Sequence, residues 1–151
     1  SDSTQVIVDI YSRFLFESAL FEERKNSVVS VAKLKELMLK AQKEAYGDGL
    51  DPDFLHPYMW INKPHYYSAG LNFYNFPYAF GLLFSKGLYA QYLKDGDAFV
   101  AKYDTLLNAT GKELIADVAM RMNVDVHNPD FFRSSLALIE KDIEKFIELS
   151  K

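Results

Sequence analysis

The sequence has 151 residues, enough for one domain with a real core, and 49% of them are hydrophobic against only 5 Pro and 7 Gly, which excludes a disordered or collagen-like chain. A formal charge of -4 and the lack of any dense Lys/Arg block exclude a phosphate backbone, and so nucleic acid, as the expected partner. With no cysteine the chain has neither disulfides nor thiolate metal sites, and with no apolar run of ~18–20 residues it has no membrane span, so it reads as soluble and cytoplasmic.

Apolar Ile7, Ile10, Tyr11, Phe14 and Phe21 recur at helical spacing and predict an amphipathic helix over about residues 4–25. Arg13, Glu17, Glu22, Glu23 and Arg24 are expected on its solvated face. Ser30 is placed to cap a second helix whose buried stripe is Val31, Leu34, Leu37, Met38 and Ala41, ended by Gly47-Asp48-Gly49. The two make a helical hairpin. Residues 47–64, punctuated by Pro52, Pro57 and Pro64, read as a loop with one short helical turn and with Phe54, Tyr58 and Trp60 packed inward.

A long aromatic pattern over about residues 67–93 predicts a central helix with Leu71, Tyr74, Tyr78, Leu82 and Tyr89 near one face, kinked or broken at Pro77. After a turn at Asp95-Gly96-Asp97, a further helix is expected to carry Phe99, Val100, Tyr103, Leu106 and Leu107 inward. Thr110 with Glu113 forms a capping-box pattern for the next helix, which bears Leu114, Ile115, Val118 and Met122. Asn128-Pro129 opens the last, which is expected to bury Phe132, Leu136, Ile139, Ile143 and Phe146. The predicted class is all-α, one compact multi-helix bundle over residues 1–151 with no repeat and no linker. Because no methionine precedes Met38, the chain reads as a fragment of a longer protein.

No H-E-x-x-H, G-x-S-x-G, phosphate-binding glycine loop or cysteine nucleophile is present. None of His56, His65 and His127 has a second histidine one helical turn away, and no metal site is expected within the chain. His56 and His127 read as hydrogen-bonded loop histidines. His65 differs, because Lys63-Pro64-His65-Tyr66-Tyr67 and Phe73-Tyr74-Asn75-Phe76-Pro77-Tyr78-Ala79-Phe80-Gly81 crowd phenols around it. On composition, Tyr66, Tyr67, Tyr74 and Tyr78 are core aromatics with their hydroxyls at the surface. On spacing, Tyr74 and Tyr78 stand one helical turn apart and aim two donors at one spot, which suits an oxyanion.

These two segments resemble the C-terminal motif of the oligoendopeptidase F family, zinc peptidases related to thimet oligopeptidase. The likeness extends upstream to Ile10-Tyr11-Ser12-Arg13, Phe16-Glu17 and Phe21-Glu22, and downstream to Gly87-Leu88-Tyr89-Ala90, Tyr103-Asp104-Thr105-Leu106-Leu107, Thr110-Gly111 and Val124-Asp125. The resemblance implies a zinc metalloendopeptidase acting on short peptides, in which an H-E-x-x-H pair and a later glutamate hold the metal. Those ligands would lie in an N-terminal part that precedes Ser1. For this chain it implies the opposing wall: His65, Tyr74 and Tyr78 as catalytic donors to the substrate carbonyl and oxyanion, Tyr66 and Tyr67 within reach of substrate, and Gly70 loosening the histidine loop. Which of Tyr74 and Tyr78 is the main donor stays open, since many family members carry tyrosine where Phe76 stands. The other reading is a stand-alone helical module whose aromatic groove binds a peptide or small apolar ligand without chemistry.

Overall fold

Helix α1 spans Asp2–Arg24 in a computed structural model that describes residues 2–151. Its buried face is Ser12, Phe16 and Glu17, whereas Tyr11, Phe14 and Phe21 stay largely exposed. The stripe expected to face the core is therefore not the one that does, and Glu17, expected in solvent, is inside. The helix is apolar on most of its circumference, so periodicity alone does not choose a face. The choice is made by α2 (Val31–Tyr46), which packs on α1 and surrounds Phe16 with Leu37, Met38 and Ala41. Truncating such a side chain costs about 3–5 kcal/mol.

Helix α2 begins and ends as its sequence dictates. Ser30 Oγ accepts from the Lys33 amide at 3.2 Å, and Gly47 closes the helix at φ +57, a conformation that glycine adopts without a Cβ penalty. Buried Gln42 then fastens the following loop: its Nε2 donates to His56 O at 2.9 Å and its Oε1 accepts from the His56 amide at 3.1 Å. In that loop Trp60 packs against the Phe16 cluster, but Tyr58 sits at the surface beneath Lys35 Nζ and Phe54 is 84% exposed, so neither packs inward as expected. The short helical turn comes at the end of the loop, a 3-10 turn at Pro64–Tyr67.

The central helix, α3, runs Phe76–Asp95 and not from residue 67. Two features delay it. Phe73 adopts φ +54, which no helix continues through, and Pro77 falls in the first turn, where its missing amide breaks no hydrogen bond. Pro77 therefore starts a helix where a kink was expected.

By Cα packing the chain divides into two compact units, one ending at Phe80 and one spanning Gly81–Lys151. The core of the second joins Leu88 of α3, Phe99, Leu106 and Ala109 of α4 (Asp97–Ala109), Val118 and Ala119 of α5 (Ile115–Met120), and Met122 and Val124 beyond it. Thr110 caps the end of α4, its hydroxyl donating to Leu106 O at 3.1 Å, and Glu113 pairs with Arg121, so the expected capping box does not form. Val100, Leu107, Leu114 and Ile115 remain exposed. Asn128 does cap α6 (Pro129–Leu149), its Oδ1 accepting from the Asp130 amide at 2.9 Å. That helix buries Ser135 and Ile139, while Leu136, Ile143 and Phe146 are exposed against expectation. The fold is all-α: among the described residues there are six α-helices and no strand, and no helix is long and apolar enough to cross a membrane.

Candidate active-site wall

The residues between 63 and 78 descend through a run of tight turns, with the amides of Tyr66, Leu71, Tyr74, Phe76 and Tyr78 each reaching the carbonyl three residues back. This winding brings His65 onto Tyr74, ring centroids 4.8 Å apart and only 16° from parallel. Tyr78, in the first turn of α3, meets Tyr74 edge-on at 6.3 Å and 72°. The three residues singled out as catalytic therefore form one aromatic cluster. They do so across a turn, because Tyr74 precedes α3 and the two tyrosines do not share a helix face.

His65 and Tyr78 open onto a cleft of about 350 Å³ whose other polar walls are Gln5, Asp9, Arg13 and Asn75. Asp9 Oδ2 and Arg13 Nη2 pair at 2.5 Å one turn apart on α1, and Arg13 Nη1 donates to Asn75 Oδ1 at 3.0 Å. Four buried polar atoms of these lining residues find no partner among the described residues: Asp9 Oδ1, Arg13 Nε, His65 Nδ1 and Asn75 Nδ2. Buried donors and acceptors are nearly always satisfied by protein, water or ligand, so such a concentration in one cleft makes it a candidate site for water or a polar ligand. Donors and acceptors are both present, as a peptide group would require.

Tyr66 faces elsewhere. Its ring packs edge-on against Phe16 at 5.3 Å, and with Tyr67, Leu20, Leu34 and Trp60 it lines a more apolar cavity of about 530 Å³. Burial pushes the Tyr66 phenol well above its ordinary range; Arg13 partly opposes this, and Glu17 and Asp9 add to it. Tyr67 is mostly exposed on the rim. Gly70 is exposed, has an ordinary φ, and has open space where a Cβ would go.

Sequence reasoning missed Asp9 entirely and left Arg13 and Glu17 on a solvated face. The contacts that give them a place, Arg13 to Asn75 and Glu17 to Phe73, cross 62 and 56 residues of chain, and no local pattern reports such pairs. The described residues contain no group of three His, Cys, Asp or Glu side chains able to hold a metal ion.

An all-helical chain with an aromatic wall over a polar cleft is compatible with several families, and comparison narrows the field. The chain is 29% identical over 107 residues to oligopeptidase PepF of Bacillus subtilis (strain 168), a match covering 71% of this chain and 16% of the relative. No family model and no solved structure matches the chain. The likeness supports a distant relationship to that oligopeptidase, and the chain spans 16% of the relative's length.

Proposed function

We propose that this chain is the C-terminal helical part of a cytoplasmic zinc metalloendopeptidase that hydrolyses short peptides, and that it supplies the wall which binds substrate and stabilises the tetrahedral oxyanion. One observation carries the reading: His65, Tyr74 and Tyr78 converge beside a cleft whose buried polar atoms lack partners. The distant likeness to PepF supports the reaction class. The zinc and its ligands belong, on this reading, to the N-terminal part of the same protein, which is this chain's partner along with the oligopeptide.

Here the chain's own residues bind and orient. Tyr78, about half exposed in the first turn of a helix, presents a phenol O–H to a peptide carbonyl. As that oxygen gains charge the hydrogen bond strengthens, and a donor already fixed in place needs no reorganisation. His65 and Tyr74, stacked on one another, hold each other's rings in orientation. The test is the coding sequence ahead of Ser1: the proposal expects an in-frame H-E-x-x-H and a downstream glutamate, and expects the encoded protein to cleave short peptides but not folded proteins. A frame closed by a stop codon before that motif contradicts it.

A further inference from the structure

We propose that Glu17 is a positioning residue for the His65–Tyr74–Tyr78 wall, acting through Phe73. The catalytic consequence rests on the peptidase reading; the positioning itself does not. Glu17 is only 4% exposed. A buried carboxylate is costly unless bonded, and Glu17 Oε1 accepts the Phe73 amide at 2.8 Å. Phe73 is itself strained: φ +54 in a bulky residue persists only where the surroundings over-determine it.

Helix α1 provides that over-determination. Phe14, Glu17 and Phe21 recur at helical spacing on one face. Phe21 stacks on the Phe73 ring at 5.5 Å and 21°, and Phe14 leans on it at 5.7 Å. Glu17, between them in sequence, takes the amide, so ring and backbone are gripped together. From the next turn of α1, Arg13 holds Asn75 at 3.0 Å. Tyr74 is thus suspended between two anchored residues, and the backbone dihedrals at Phe73 decide where its ring points. That ring is the one lying on His65.

Two variants and the wild type decide the matter. Glu17→Leu removes the acceptor while leaving an apolar side chain among phenylalanines; Glu17→Gln keeps an amide oxygen that can accept. In the wild type, the Phe73 amide is expected to be among the slowest to exchange within residues 68–75. Glu17→Leu should speed that exchange by about 10- to 100-fold, the loss of one hydrogen bond to a charged group. It should also abolish the ring-to-ring nuclear Overhauser contact between His65 and Tyr74. Glu17→Gln should restore most of both. In the full-length protein, Glu17→Leu should lower kcat with KM nearly unchanged, and Glu17→Gln should recover it. A wild-type Phe73 amide that exchanges like a free one overturns the proposal even if Glu17→Leu fails to fold, as does a folded Glu17→Leu that keeps both signals. If the ring and exchange signals respond but Tyr74→Phe and Tyr78→Phe leave turnover intact, the clamp stands and the catalytic role proposed for the wall falls. The reverse pattern removes the clamp alone.

Discussion

The Tyr66 hydroxyl is buried with no partner among the described residues, and burial raises its pKa above the ordinary 10.0. The folded state therefore holds the neutral phenol more tightly than the unfolded state does. That contribution to stability is fully present below the unfolded value near 10.0 and is lost as pH rises from there towards the folded pKa. Tyr66→Phe has no proton to lose. Denaturant unfolding should find it as stable as wild type at neutral pH, or up to about 1 kcal/mol more so, because an unpaired buried hydroxyl has gone. Above pH ~10 its advantage should grow by up to about 1.4 kcal/mol per pH unit. Parallel curves for the two proteins would show that the hydroxyl has a partner or reaches water. At this scale the clustering of His65, Tyr74 and Tyr78 was legible, because the three lie in one short stretch. Glu17 and Asn75 were not, since their roles depend on which turn of a distant helix they meet.

Elements were legible where one residue type solves a local problem. Ser30 and Asn128 accept helix-start amides, and Gly47 takes the positive φ that ends α2. Apolar periodicity misled elsewhere: it chose the wrong face of α1, which is apolar nearly all round, it turned Val100 and Leu107 of α4 and Leu136, Ile143 and Phe146 of α6 inward, and it ran α3 back through residues 67–75. The Phe73 backbone, held by Glu17, and Pro77 in the first turn of α3 explain that interruption. Gly87 is a further element-level constraint. A Cβ there would lie 2.4 Å from Phe131 Cζ and 2.8 Å from Ser135 Oγ, where Ser135 also donates to Leu83 O at 2.6 Å. Alanine usually favours a helix over glycine by roughly 0.5–1 kcal/mol. Gly87→Ala should nevertheless destabilise, because forcing volume into this contact costs about 1–3 kcal/mol. Thermal unfolding would show it as a lowered Tm, and an unchanged or raised Tm would mean that α3 and α6 separate freely.

Across the whole molecule, large apolar side chains stand in solvent in both units: Val28 at 98%, Phe54 at 84% and Phe146 at 70% exposure. Apolar surface of this kind favours association, so sedimentation should show concentration-dependent self-association and an apolar dye should bind. A clean monomer with no dye binding would favour a complete binding module. Zinc calorimetry should find no micromolar site, since no three-ligand group is present among the described residues. A stoichiometric site that survives loss of all but one histidine would contradict the assignment of the metal to another part of the protein.

The measurement closest to the central claim is steady-state kinetics of Tyr78→Phe in the full-length protein. The substitution keeps the ring that meets Tyr74 and removes only the hydroxyl. If that hydroxyl donates to the developing oxyanion, kcat should fall ~10²–10³-fold, about 3–4 kcal/mol, with KM and Tm nearly unchanged. His65→Ala should act similarly. Retention of more than about half of the wild-type kcat by Tyr78→Phe, while Tyr78→Ala unfolds the protein, would instead identify Tyr78 as a packing residue and contradict the account.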